Sequence, residues 1–373
     1  MEASYTWHPG ACCLTPRWPL TPSILPDELF SSWLVRTAHA HGCEPCTLTD
    51  IVWPGSNAWV SDLDRLHPWA NREVLGAVTG LSAQDLLACT LWPAIQLLHP
   101  QPAVQRSSLL PWILPLGCRN RSHAGGLLCC PRCIMDPHPY YRQQYRLAWH
   151  TACLRHRVLL IDRCPHCYSA LQPGRLPAGH PLSRCHHCGG SLGGGCAVPA
   201  LESALSFQTF ADTASHSTVA FGEVSLSFSE WMCIARVMIS FLKNATRQPT
   251  VKMLRFCHAI GVDACQLRSS SLGLSFEYAT PAERAGLLGQ AWVIMQADPK
   301  RFAELAADAE LPVTAFPLPA FGVPEILRHM LKALSQHPPR KCSRPGPSHT
   351  RAPLEVWHMW HRLKRRMRRH DIS

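Results

Sequence analysis

The sequence lacks the segments that send a chain into or across a membrane. No stretch of about 18 uncharged apolar residues occurs, so we expect no membrane span. Residues 1–10 lack a basic region followed by an apolar one, so we expect no signal peptide. Without a secretory signal, the 19 cysteines indicate a reducing cytoplasm, with thiolates held on metal rather than paired in disulfides.

Signatures of catalysis are also missing. The chain has no acidic triad, no Walker A motif and no nucleophile motif with supporting context, so we expect no enzymatic activity.

Acidic residues are few: 25 Asp and Glu stand against 36 Lys and Arg, which gives a net charge of +11. This balance favours an acidic partner, most often a nucleic acid. At 373 residues, the chain is long enough for two or three domains.

What the sequence does contain is four pairs of metal-ligand residues with two residues inside each pair. The pairs are separated by 19, 7 and 17 residues. A spacing of two residues lets both ligands of a pair reach one ion, and a loop of about 15–20 residues brings the next pair back to the same ion. The sequence therefore predicts two structural Zn²⁺ sites. The ligands are Cys130, Cys133, Cys153, His156, Cys164, Cys167, Cys185 and Cys188.

The loop lengths favour sequential pairing of these ligands, although an interleaved arrangement stays open. Four protein ligands on one ion leave no position for a reactive water, so the sites are expected to be structural. The twelve other cysteines are expected mainly as small buried hydrophobes. Cys43 and Cys46, close to His39 and His41, are a weaker candidate for a metal or redox site, because the four residues are too closely spaced.

Helix signals surround this region. Pro26 and Asp27 are placed to start a helix, and Gly42 to end it. Residues 73–79, a break at Gly80 and a new helix from Ser82 give a helix-turn-helix outline. The second helix carries no Arg or Lys, so an ordinary helical hairpin remains the alternative. Further helix starts are predicted at Ser227, Thr280, Asp298 and Pro324.

The predicted fold is mainly α with small zinc-ribbon β elements. We expect a helical N-terminal domain with a helix-turn-helix-like element (1–105), a tandem zinc-binding module (106–195) and a C-terminal helical domain (196–336). A linker (337–353) and a basic tail helix (354–373) follow. The tail is predicted to contact phosphate, with a solvated tail as the alternative. Its cations are Arg362, Lys364, Arg365, Arg366, Arg368 and Arg369.

Aromatic and basic residues alternate inside the first metal-binding loop, from Tyr140 to Trp149. Such a pattern stacks bases and neutralises phosphate, which makes Arg142 and Arg146 candidate nucleic-acid contacts. The same pattern can cover a small metal-bound core, with arginines lying over rings. The packing interpretation is favoured, and the nucleic-acid interpretation is kept as its alternative.

Several motifs in order resemble the TniQ/TnsD family. They are Cys130-Pro131-Arg132-Cys133, Tyr140-Tyr141-Arg142, Arg146-Leu147-Ala148-Trp149, Cys153-Leu154-Arg155-His156 and Cys164-Pro165-His166-Cys167. The stretch from Pro26 to Leu34 resembles that family's N-terminal signature, and Thr79-Gly80-Leu81-Ser82 its next helical element. The resemblance covers about residues 24–192. Within it, the eight ligands correspond directly, whereas no DNA-reading residue can be carried over.

The resemblance implies a transposon-encoded protein that selects insertion sites. Such a protein binds target DNA or an RNA-guided CRISPR surveillance complex and recruits an AAA+ ATPase that regulates transposition. It also implies a bacterial cytoplasmic location, at the nucleoid in use, and leaves a homodimer open. A stand-alone zinc-binding transcription regulator is the main alternative, and a metal-dependent enzyme, which needs an open metal site, is a third hypothesis.

Overall fold

The structure is a computed structural model. It describes residues 17–55, 58–65, 72–100, 109–116, 125–263, 274–319, 322–332 and 334. All of them belong to one compact unit, residues 1–335. The predicted linker and basic tail lie outside the described residues, and so do the six tail cations predicted to contact phosphate.

The described part of the chain is mainly helical with a few short strands, which confirms the predicted fold class. None of its helices is long and apolar enough to cross a bilayer. The α-helices are α1 (Phe30–Ala40), α2 (Pro45–Val52), α3 (Arg72–Thr79), α4 (Ala83–Ala88), α5 (Trp92–Leu98), α6 (Glu202–Ala214), α7 (Phe228–Arg247), α8 (Val251–Ile260), α9 (Pro281–Met295), α10 (Pro299–Asp308) and α11 (Glu325–Lys332). The strands are β1 (Ala152–Cys153), β2 (Val158–Leu159), β3 (Val219–Phe221) and β4 (Val224–Leu226).

Helix α1 begins later than the sequence predicted. Its first residue is Phe30, whereas Asp27 lies before it in the left-handed region, at φ 60°. The Asp27 carboxylate does not cap α1. It accepts hydrogen bonds from the backbone N–H (3.2 Å) and the side-chain amide (2.6 Å) of Gln144. The prediction of a helix start at Pro26 and Asp27 was therefore wrong, because a distant segment satisfies the aspartate.

Two short helices joined by a tight turn lie where the sequence predicted a helix-turn-helix-like outline, and a helix-turn-helix that binds DNA stays a prediction. Helix α3 ends at Thr79, Gly80 adopts φ 73°, and Ser82 caps α4. The Ser82 hydroxyl accepts the N–H of Asp85 (3.1 Å), whose carboxylate accepts the N–H of Ser82 (3.2 Å). This reciprocal cap fixes a tight turn between the two short helices. Helix α4 is only six residues long and carries no basic side chain.

The region between the helical parts contains little regular structure. Strands β1 and β2 pair antiparallel over two residues each, and a bridge joins Cys129 to Ile161. Residues 110–116 pair with the first metal-binding loop: Leu114 N–H donates to Arg146 O (2.9 Å), and Ala148 N–H donates to Trp112 O (2.7 Å). The Trp112 indole then donates to Met232 O in α7 (3.2 Å). Trp112 thus joins this loop to the C-terminal helices.

The C-terminal helices begin where the capping signals indicate. Reciprocal caps form at Ser227 with Glu230 and at Thr280 with Glu283, and Asp298 caps α10. Helix α9 packs along α6 and α7 and sends Arg284 toward the metal-binding region. The buried Arg284 guanidinium donates to Ala148 O (2.6 Å). The predicted domain boundaries stay predictions, but one apolar cluster extends across them, from Leu29 to Leu334. A second cluster, from Trp18 to Cys89, lies within the N-terminal helices.

Candidate metal centres and their surroundings

The first predicted ligand set comes together at the β1–β2 turn. The ligand atoms of Cys130, Cys133, Cys153 and His156 all lie within 4.8 Å of one another. The Sγ atoms of Cys133 and Cys153 are 3.7 Å apart. His156 Nδ1 lies 3.5, 3.2 and 3.7 Å from the sulfurs of Cys130, Cys133 and Cys153. This imidazole nitrogen therefore completes a four-ligand cluster.

The second ligand set forms in the next loop, and the ligands pair sequentially along the chain. Cys164, Cys167, Cys185 and Cys188 also place their sulfurs within 4.8 Å of one another. The Cys164 and Cys188 sulfurs are 3.7 Å apart, and so are those of Cys167 and Cys185. Cys188 is the exposed member of the set, while Cys164 and Cys185 are buried.

Both clusters have the dimensions of a tetrahedral metal site. Metal–sulfur bonds of about 2.3 Å place two sulfurs of a tetrahedron about 3.8 Å apart, close to the distances seen in both clusters. Burial and the neighbouring Cys167 and Cys164 side chains raise the pKa of the Cys185 thiol to about 12. Four crowded thiols resist ionisation together unless a cation neutralises them. The eight residues could thus hold two metal ions.

The second cluster is built from two knuckles, the tight turns Cys164–Cys167 and Cys185–Cys188, and the two turns have the same backbone structure. In both, an arginine precedes the first cysteine, and its guanidinium donates to the carbonyl of the residue after the second cysteine. The pairs are Arg163 to Tyr168 (3.1 Å) and Arg184 to Gly189 (3.3 Å). Bridges at Arg163–Ala170 and Arg184–Ser191 close the two units. The equivalent positions Tyr168 (φ 59°) and Gly189 (φ 69°) both adopt the left-handed conformation.

Glycine is the relaxed residue for that conformation, whereas another residue type costs about 1–3 kcal/mol there. The sequence signal for this repeat was an arginine before each of two cysteine pairs, 21 residues apart. The pairs themselves were predicted, but the repeat and its left-handed tyrosine were not.

The family comparison agrees with this geometry. Residues 19–160 match the TniQ family model. The chain carries a TniQ domain over these residues. The match includes α1–α5 and the whole first metal cluster, and it makes the chain a transposition-associated protein. A comparison with curated proteins gave no match.

The TniQ region buries Arg146, which corrects the nucleic-acid role predicted for this residue. Its guanidinium is fully enclosed and donates to Asp62 (2.6 and 3.2 Å), to Asp64 (3.0 Å) and to Leu114 O (2.8 Å). The charge is therefore neutralised inside the protein and is not presented to phosphate. Arg146 serves the packing role that was the favoured interpretation. Neither aspartate was singled out from the sequence, where nothing links them to position 146.

Arg142 differs from Arg146, since it is partly exposed and lies over the ring of Tyr140 at 4.6 Å. Its backbone bridges Glu28. The neighbouring Tyr141 N–H donates to the Ser32 hydroxyl (3.0 Å), and Leu29 N–H donates to Tyr141 O (2.9 Å). This segment therefore packs on the start of α1, while the nucleic-acid role of Arg142 stays a prediction.

The Cys43 and Cys46 pair forms no metal cluster within the described residues. The Cys43 thiol points to Ala38 O (3.5 Å), and the Cys46 thiol to Gly174 O (3.7 Å) in the second metal-binding loop. Gly174 leaves room for the Trp59 ring, which a Cβ at this position would meet at 2.2 Å. The pair thus lies where the second loop packs against the N-terminal helices.

Cysteine burial predicts the pattern of alkylation. Cys89, Cys129 and Cys257 are buried, and burial raises the pKa of each, to about 11 for Cys257. Cys196 is exposed and lies outside both metal clusters. In folded, metal-loaded protein, we expect iodoacetamide to label Cys196 at least about tenfold faster than the three buried thiols. Peptide mass spectrometry measures this, with urea-denatured protein as the control. Equal labelling of Cys129 and Cys196 in the folded state would contradict it.

Proposed function

We propose that this TniQ protein is a target-selection adaptor for a transposon. It binds target DNA or an RNA-guided CRISPR complex and recruits an AAA+ ATPase that regulates transposition. The TniQ domain over residues 19–160 carries this proposal. Supporting it, the chain holds a net charge of +11, which favours an anionic partner. A bacterial cytoplasmic location, at the nucleoid, is part of the same proposal.

We further propose Zn²⁺ as the ion in both clusters, because thiolate and imidazole ligands suit this metal. Each cluster offers four protein ligands, so a tetrahedral ion would have no open position for a reactive water. This closed coordination supports a structural role for the metal and a non-catalytic role for the protein. The metal would hold loops in place, and the binding surfaces would lie around them.

Isolation of the full chain from its host tests the adaptor function. We expect a tagged protein to bring down an AAA+ ATPase together with target DNA or CRISPR subunits. We also expect deletion of its gene to reduce targeted insertions to background, measured by sequencing of insertion sites. Complementation with Cys196→Ser should restore targeting, whereas Cys164→Ser, which lacks a buried ligand, should not.

Two results would overturn this function. One is an unchanged insertion pattern after gene deletion, together with no ATPase in the isolated complex. The other is recovery of one specific duplex site without any transposition protein, which would support the transcription regulator instead.

A further inference from the structure

Tyr168 occupies a position where the local backbone favours glycine. In each knuckle of the second cluster, the residue after the second cysteine closes the turn by donating to the carbonyl of the first cysteine. These bonds are Tyr168 to Cys164 (3.0 Å) and Gly189 to Cys185 (2.9 Å). The turn needs a left-handed residue, which the second knuckle supplies with Gly189. The first knuckle makes the same turn with a large side chain, at a cost to stability.

Packing does not account for the tyrosine. Its side chain is 73% exposed. Among the described residues, no other aromatic side chain belongs to the exposed large hydrophobic residues. Backbone strain at an exposed side chain that packing does not explain is a feature of functional positions. The turn hydrogen bonds at Cys164 and Arg163 hold the backbone of Tyr168 in place, so little backbone freedom would be lost on binding.

The surrounding charge indicates what kind of partner this is. Residues 163–201 contain three arginines and four histidines but no Asp or Glu. The Arg163 guanidinium donates to the Tyr168 carbonyl, which places a cation beside the backbone of this residue. A Zn²⁺ bound by four thiolates carries net negative charge, which offsets much of the arginine charge. Attraction to phosphate is therefore modest at this site, and the ring must supply much of the affinity.

We propose that Tyr168 stacks on an unpaired base of a nucleic acid, with Arg163 and Arg184 beside the backbone phosphates. An exposed ring beside arginines, in a segment (163–201) that contains no Asp or Glu, has the chemistry of single-strand recognition. A base inside an intact duplex is already stacked on both faces and offers no free surface to the ring. The base belongs either to a displaced DNA strand or to a guide RNA. This inference rests on the proposed target-selection function and adds to it a residue and a form of nucleic acid.

The comparison of the two knuckles suggests the test. Tyr168→Gly gives the first knuckle the residue type that the second knuckle has at the equivalent position, Gly189. We expect this variant to keep both metal ions and to melt at the same temperature as the wild type or higher, since the backbone strain is relieved. We expect its affinity for a single-stranded oligonucleotide to fall about tenfold or more, the usual loss for one base–aromatic contact. Tyr168→Phe keeps the ring and should bind within about twofold of the wild type.

Fluorescence anisotropy of the full metal-loaded chain measures these affinities. Labelled single-stranded DNA, single-stranded RNA of the same sequence and the matching duplex are the three probes. Greater loss on DNA identifies a displaced strand as the source of the base, and greater loss on RNA identifies a guide. Duplex binding should be the same for the wild type and Tyr168→Gly.

Three results would overturn the proposal. They are equal single-strand affinity of the wild type and Tyr168→Gly, no single-strand binding by the wild type, and loss of metal or thermal stability in Tyr168→Gly. If the variant keeps its oligonucleotide affinity but no longer captures the ATPase, Tyr168 is a protein contact and the nucleic-acid role is wrong. None of these results decides the adaptor function, which is measured separately by insertion patterns and by the proteins captured from the host.

Discussion

Replacing Cys164 with serine is expected to unfold the second metal-binding loop and to lower the stability of the whole unit severely. Cys164 is fully buried and shares its cluster with Cys167, Cys185 and Cys188. Structural zinc contributes roughly 10 kcal/mol or more to the folding of such modules. Few other interactions can compensate for its loss, since β1 and β2 are the only strands described between residues 125 and 200, and each has two residues.

The measurement combines metal content, thermal unfolding and limited trypsin digestion. Arg146 is fully buried in the first metal-binding loop, so cleavage after it reports unfolding that extends from the second loop to the rest of the unit. We expect rapid cleavage there in Cys164→Ser and in chelator-treated wild type. Cys196→Ser, which changes an exposed cysteine outside the clusters, is the matched control and should resemble the wild type. If Cys164→Ser kept two metal ions and melted like the control, the metal would not hold this fold together.

Arg146→Ala is expected to destabilise the protein by about 3–5 kcal/mol, the usual cost of removing one partner of a buried ion pair. The variant leaves the fully buried Asp64 without the guanidinium that lies 3.0 Å from it. Chemical denaturation measures the change in unfolding free energy. Arg142→Ala is the control, because this neighbouring side chain is partly exposed and lies over the face of Tyr140 without a salt bridge among the described residues. It should cost no more than about 1 kcal/mol.

The pH dependence gives this prediction a second observable. Burial raises the pKa of Asp64 to about 6, although the Arg146 guanidinium opposes the shift. A carboxyl group whose pKa is higher in the folded state favours folding when it is protonated and disfavours it when it is charged. Removing Arg146 raises this pKa further. The deficit of Arg146→Ala should therefore be larger at pH 8 than at pH 5. A deficit below about 1 kcal/mol at pH 8 would contradict the importance of the pair.

Local sequence signals predicted much of the fold. The caps at Ser82, Ser227 and Thr280 form as predicted, because a capping side chain bonds to backbone three residues away. Asp27 shows where this logic fails. It resembles a cap, yet its carboxylate bonds to Gln144, a partner 117 residues along the chain. An aspartate satisfies whichever N–H groups the tertiary structure brings to it, and the sequence does not show which groups those are.

The candidate metal sites were predictable for the same reason, since two-residue spacings specify the knuckles whatever packs around them. The sequence by itself determined the eight ligands, the helix caps and the TniQ resemblance. Only the tertiary structure decided which of the basic and aromatic side chains are buried and which are exposed. Arg146 is enclosed by Asp62 and Asp64, and Tyr168 is left exposed on a strained turn. Burial depends on which surfaces meet, and that is set by the packing of segments far apart in the chain.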